Sequence, residues 1–195
     1  MAYEIELKAR VEESDLDRVR SSILALPDVK DLGSTSKFDI YWSHTEDGDP
    51  IFRTRREMNE DGPDVLFTAK PSKTKTEKGT EENQELEFCC PDNQWDRILS
   101  FCSGIGLQVC RLKWKKGYGY RARIDGFDIH IELLDIRFLG WYLEMEICPE
   151  SLENFDFEAA DRTLRKVLSL TGISEDAVEA RGYNKMLREI GKERG

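Results

Sequence analysis

Tyr3-Glu4-Ile5-Glu6-Leu7-Lys8-Ala9-Arg10-Val11 alternates apolar and charged side chains with a period of two, which marks a strand with one face against a core. The other face carries charges rather than neutral polar groups. The same spacing recurs in Arg53 and Arg55, Glu85 and Glu87, Lys113 and Lys115, Arg121 and Arg123, and Glu144 and Glu146. Each pair projects from one side of a pleated strand and leaves the other side apolar.

Outward from that stretch, strands are expected near 3–11, 37–43, 51–57, 64–70, 84–90, 108–124, 127–137 and 141–148. Asp125-Gly126 between two strand patterns predicts a tight hairpin. Helices are expected from Ser14 or Asp15 to about Leu26, from Asp92 or Asn93 to about Ser103, and over 155–171 and 174–191. Lys73 to Glu82 reads as a solvated, mobile loop. About eight strands and four helices, without repeat or linker, predict a single α+β domain over residues 1–195. Its expected form is a closed eight-stranded antiparallel β-barrel, a tunnel with helices packed on the outside.

The plainer alternative is the wet outer face of an open antiparallel sheet. Such a face would accept Thr, Ser and Gln freely, whereas Glu, Lys and Arg recur here from strand to strand. Ions inside a barrel each cost several kcal/mol to desolvate unless paired or kept wet, so retaining them points to function. Glutamates two apart offer oxygen ligands to Mg or Mn, and lysines and arginines suit phosphate oxygens.

The composition restricts the partners. A net charge of -10 over 195 residues argues against non-specific binding to nucleic acid or to anionic membrane, while leaving room for a small anion in a local basic pocket. No stretch is apolar enough to span a membrane, and the opening residues enter a charged strand at once, so a cytoplasmic location is expected. The five cysteines have no CxxC spacing and read as reduced, mostly core residues. His44 and His130 are too far apart to suggest a pair, although His130 shares a strand face with Glu132. No GxSxG, Walker loop or GxGxxG occurs, and the aromatics fall at packing positions, so no organic cofactor is expected.

Glu4-Ile5-Glu6-Leu7-Lys8 resembles the ExExK signature of the CYTH family, which comprises class IV adenylyl cyclases and thiamine triphosphatases and is also called the triphosphate tunnel metalloenzymes. Further marks follow in family order: Lys37-Phe38-Asp39-Ile40-Tyr41, Phe52-Arg53-Thr54-Arg55, Lys70, Glu85-Leu86-Glu87, Lys113-Trp114-Lys115 and Leu139-Gly140-Trp141-Tyr142-Leu143-Glu144-Met145-Glu146. Gly182-Tyr183-Asn184-Lys185-Met186-Leu187 is similar to the family's closing helix. The resemblance implies that Glu4, Glu6, Glu144 and Glu146 help to hold Mg or Mn, and that Lys8, Arg53, Arg55, Lys70, Lys113 and Lys115 hold a triphosphate. Many members carry an aspartate where this chain has Leu134, and Glu132 or Asp135 is the alternative ligand. Arg121 and Arg123 either contact the outer part of a substrate or decorate a solvent-exposed tip. Tyr41 either pairs with Lys70 for proton transfer or packs beside Trp42.

The activity implied is metal-dependent hydrolysis of inorganic triphosphate, thiamine triphosphate or a nucleoside triphosphate. An adenylyl cyclase making cyclic AMP and pyrophosphate from ATP is the alternative, and a non-enzymatic triphosphate-binding module is a third. The cyclase branch tends to carry a His-Phe pair before ExExK, and only Met1, Ala2 and Tyr3 precede Glu4, which favours hydrolysis. The expected partner is a small-molecule triphosphate or nucleotide, and a homodimer is compatible with the sequence.

Overall fold

The computed structural model describes residues 2–59, 62–75 and 79–192, and within them eight strands close into an antiparallel barrel. They are β1 (Ala2–Val11), β2 (Lys30–Ser43), β3 (Phe52–Asn59), β4 (Gly62–Lys75), β5 (Glu81–Pro91), β6 (Gln108–Ile124), β7 (Phe127–Ile136) and β8 (Gly140–Ile147). The order around the barrel is β1-β5-β4-β3-β2-β6-β7-β8, and β8 pairs back onto β1. Helices α1 (Leu16–Leu24), α2 (Trp95–Gly104), α3 (Phe157–Leu170) and α4 (Tyr183–Glu189) complete the domain.

The alternation read from the sequence decides which side faces in. Ile5, Leu7 and Ala9 of β1, Ile129, Ile131 and Leu133 of β7, and Leu143 and Met145 of β8 point outward. There they pack against Val19 and Ile23 of α1 and Leu164, Val167 and Leu168 of α3. Burying each large aliphatic side chain contributes roughly 1.5–3 kcal/mol, and this outer core offsets the cost of an ionic interior. Ile40 and Trp42 of β2 form a second outer core with Cys102 of α2. Asp156 caps α3 by accepting from the Ala159 amide at 2.9 Å. Asp125 and Gly126 both take positive φ, 52° and 86°, as a two-residue hairpin joining β6 to β7 requires.

A third, smaller cluster joins Leu134, Ile136 and Tyr142 to Tyr183 and Met186 of α4. Leu134 and Tyr142 stand two residues from Glu132 and Glu144 on the inward face, so α4 fills that end of the barrel. Leu134 is therefore part of an apolar floor.

Four expectations need correction. β2 begins at Lys30 rather than 37, because Lys30 to Thr35 find partners on the long β6. The loop expected over Lys73 to Glu82 is largely strand: β4 runs to Lys75 and β5 starts at Glu81, with Thr80 and Glu81 buried, while 76–78 lie outside the described residues. The helix expected over 174–191 is only Tyr183–Glu189, because Val178 bridges to Ala9 and the Glu179 amide donates to the Lys8 carbonyl at 2.9 Å. Those backbone groups pair with β1 instead of with a helix. All five cysteines are free, as expected, but only Cys102 and Cys110 are buried; Cys89 and Cys148 are exposed. No helix among the described residues is long and apolar enough to cross a membrane.

Candidate active site

Inward-facing side chains enclose a cavity of about 750 Å³ whose charges divide largely by strand, with Glu57 of β3, 3.5 Å from Lys37, set among the cations. The adjacent strands β3, β2 and β6 supply Arg53 and Arg55, then Lys37, then Arg111, Lys113 and Lys115. Across the barrel, the contiguous strands β7, β8, β1 and β5 supply Glu132, then Glu144 and Glu146, then Glu4 and Glu6, then Glu81, Glu85 and Glu87. Lys8 on β1 and Lys70 on β4 are cations set against the acidic wall: Lys8 meets Glu81 at 3.4 Å, and Lys70 meets Glu4 at 3.1 Å and also Glu85.

Asp39 organises the basic wall. The strand registers put it opposite Arg55 on one side and Lys113 on the other. Its carboxylate has 0% exposure and accepts from Arg55 at 2.7 and 3.2 Å, with Lys113 Nζ at 3.1 Å. Burial alone would raise its pKa, but Arg55, Lys113 and Arg53 hold it well below the ordinary carboxylate range. Arg53 donates to Thr68 Oγ1 at 2.9 Å, while its buried Nε has no hydrogen-bond partner among the described residues. A buried cationic donor without a partner is suited to an incoming anion.

The acidic wall is only partly neutralised from within. Lys37 bonds Glu132 at 2.6 and 2.8 Å and holds its carboxyl below the usual range against the opposing effect of burial. Lys115 bonds both oxygens of Glu144 at 2.8 and 2.9 Å, and despite burial the Glu144 pKa falls to about 2. No lysine or arginine bonds Glu146 among the described residues: burial and then Glu4 push its pKa up to about 8, with His130 and Lys37 opposing. Glu4 is raised as well, by burial against the pull of Lys70.

The cavity thus brings together Glu4, Glu6, Lys8, Tyr41, Arg53, Arg55, Lys70, Lys113, Lys115, Arg121, Glu132, Glu144 and Glu146. Of the two alternatives to the family aspartate, Glu132 faces the cavity and Asp135 sits 3.6 Å from Lys116 on the other side of β7. Arg123 is not brought in. It pairs at 3.2 Å with Asp128 at the exposed end of β6, because the strand and its alternation continue past the barrel rim. The pairing of Tyr41 with Lys70 is not formed either. The Tyr41 hydroxyl accepts from Lys113 Nζ at 2.6 Å, and Lys70 is engaged by Glu4 and Glu85, which hold its ammonium charged. Burial would raise the Tyr41 pKa, yet Lys113 and Arg53 together outweigh it and leave the phenol below its usual value. Sequence reasoning gave no site role to Lys37, Asp39, Arg111 or Tyr183. The alternation Lys37, Asp39, Tyr41 could have found the first two.

No protein-family model and no curated protein matches the sequence. Solved structures do match over nearly the whole chain. PH1819 from Pyrococcus horikoshii superposes with a TM-score of 0.74 at 21% identity, covering 96% of this chain and 99% of that one. A Vibrio parahaemolyticus protein provisionally described as an adenylate cyclase gives 0.65 at 17% identity, covering 95% and 98%. The Hippeastrum protein HpAC1, named for adenylyl cyclase and described as having a dominant triphosphatase activity, gives 0.62 at 14% identity, covering 98% and 97%. The chain has the tunnel fold that its resemblance to the CYTH family implies.

Proposed function

We propose that the barrel binds a triphosphate together with a divalent metal and hydrolyses it, releasing orthophosphate. The division of one cavity into a basic and an acidic wall carries this reading, since a metal-bridged phosphate chain presents anionic oxygens to one side and a cation to the other.

Among the described residues, no three carboxylate, imidazole or thiol groups are placed to chelate a metal alone. Mg does not require that, because it is commonly held by one or two carboxylates with phosphate oxygens and water completing the shell. Glu4 and Glu146, crowded carboxylates with raised pKa values, fit such an ion, with Glu6, Glu132 and Glu144 beside them. When bound, Mg or Mn would supply positive charge to the transferring phosphoryl oxygens.

The protein's own groups do the rest by position and charge. Arg53, Arg55, Lys113 and Lys115 orient the phosphate chain, and Lys8 and Lys70 meet it from the opposite side. Tyr41, its phenol held below its usual pKa by Lys113 and Arg53 against burial, donates its proton to the oxygen leaving on the diphosphate portion, while the attacking water gives up a proton to solvent, from which the phenol is reprotonated. The activity described for HpAC1 favours hydrolysis, while its name supplies the competing reaction, cyclisation of ATP.

The test is a product assay with purified protein, Mg or Mn, and inorganic triphosphate, thiamine triphosphate or ATP. Orthophosphate release supports the proposal and identifies the substrate. Cyclic AMP with pyrophosphate would replace it with a cyclase, and binding without turnover would make the barrel a binding module.

A further inference from the structure

The first residue of α4 occupies a position that the charge pattern does not explain. Tyr183 is buried, and its ring lies 4.9 Å from Lys115 Nζ, 5.5 Å from Lys8 Nζ and 5.6 Å from Lys113 Nζ. Those lysines come from β1 and β6, strands separated by β8 and β7 in the barrel, so the ring is a meeting point for ammonium groups from two walls. An edge-to-face contact with Tyr142, centroids 5.1 Å apart, fixes the ring against the floor.

Three like charges around one point repel one another, and the negative face of an aromatic ring attracts each of them and offsets part of that repulsion. Each of these lysines also has an acidic partner: Glu81 for Lys8, Asp39 for Lys113 and Glu144 for Lys115. A phosphate chain must compete with those carboxylates. It does not compete with the ring, which carries no charge and remains in contact after the carboxylates are displaced. The hydroxyl makes no hydrogen bond of normal geometry among the described residues.

We infer that Tyr183 is a positioning residue whose ring holds Lys8, Lys113 and Lys115 in an arc facing the bound triphosphate, so that α4 helps to build the anion site as well as the floor. The inference rests on the triphosphate reading for its ligand and on geometry alone for the placement of the lysines.

The experiment compares wild type, Tyr183→Phe and Tyr183→Leu by side-chain NMR of the lysine Cε–Hε groups and by calorimetric titration with inorganic triphosphate in EDTA. Ring-current upfield shifts of the Lys8, Lys113 and Lys115 resonances are expected in wild type and Tyr183→Phe, and their loss in Tyr183→Leu. Triphosphate Kd is expected to rise about tenfold in Tyr183→Leu and to stay within about twofold in Tyr183→Phe. Unshifted lysines in wild type, wild-type affinity in Tyr183→Leu, or equal weakening in both variants would overturn the inference; the last would assign the effect to the hydroxyl. Should Tyr183→Leu lose its cooperative melt, the wild-type shifts and the Tyr183→Phe affinity decide. Absence of triphosphate binding by wild type would remove the functional reading, and the lysine shifts would then decide the placement by themselves.

Discussion

Arg55 and Asp39 face each other across β3 and β2 as a bidentate ion pair, Nε to Oδ1 at 2.7 Å and Nη2 to Oδ2 at 3.2 Å, at a carboxylate fully withdrawn from solvent. Lys113 joins from β6 at 3.1 Å, so one aspartate anchors cations from two neighbouring strands. Removing its charge strips Lys113 and Arg55 of a shared buried counterion and leaves Arg55, among the described residues, only Glu57 at 3.9 Å. Asp39→Asn is expected to destabilise the barrel by about 3 kcal/mol, lowering Tm by about 6–12 °C for a chain of this size. Thermal melts followed by circular dichroism measure this, and an unchanged Tm would show that the wall is held by other contacts.

The same carboxylate gives the stability a pH signature. Its folded pKa lies below its unfolded value, so its contribution is complete above about pH 5 and is lost as pH falls through the unfolded pKa of about 3.9 toward the folded one. In that interval the unfolded chain takes up a proton that the folded chain refuses. Wild-type Tm should therefore drop more steeply than that of Asp39→Asn between about pH 5 and pH 3, and the two curves should converge. A constant gap across the series would separate the stability loss from the ionisation of Asp39.

Tyr41 offers a test of proton transfer. Its hydroxyl contacts Lys113 at 2.6 Å and lines the cavity. On the proposed reading, Tyr41→Phe is expected to lower kcat about a hundredfold with little change in KM for triphosphate, because the ammonium proposed to bind phosphate is kept while the proposed proton donor is lost. Steady-state kinetics on the substrate found in the product assay provide the measurement. A raised KM at unchanged kcat would instead make Tyr41 a binding group.

Glu146 makes the opposite prediction for stability. With burial and Glu4 pushing its pKa to about 8, ionisation of this carboxyl penalises the metal-free barrel increasingly between the unfolded pKa and pH 8. Glu146→Gln should stabilise the protein in EDTA by at least about 1 kcal/mol at pH 8, with little effect near pH 4. It should also abolish the Tm increase that Mn with triphosphate is expected to give the wild type on the proposed reading. Retention of that increase would place the metal on other oxygens.

The barrel was legible because its two faces obey different chemistry. Ile5 and Leu7 had to pack outward against helices, which sent Glu4, Glu6 and Lys8 inward, and the same division sent Glu132 of β7 and Glu144 and Glu146 of β8 inward. The logic failed where alternation and location part company. Arg123 keeps the inward phase of β6 beyond the point where there is an interior to face. Asp39 carries no paired-charge mark, because it stands between a lysine and a tyrosine on its own strand and its partners lie on other strands. The segment before α4 has a helix-like pattern, but its backbone hydrogen bonds go to β1. Such long-range pairings are fixed by the closed topology and leave no local mark.

The pairing of the two walls has a thermodynamic consequence. Each wall serves as counterion to the other, Lys37 to Glu132 and Lys115 to Glu144, and Lys70 of β4 pairs with Glu4. On the proposed reading, loading the barrel is an exchange of partners. Phosphate takes the ammonium groups and so releases carboxylates, and a cation that takes the carboxylates releases ammonium groups. Each ligand prepares the place of the other, and linkage makes the effect reciprocal: metal should tighten triphosphate by the same factor that triphosphate tightens metal.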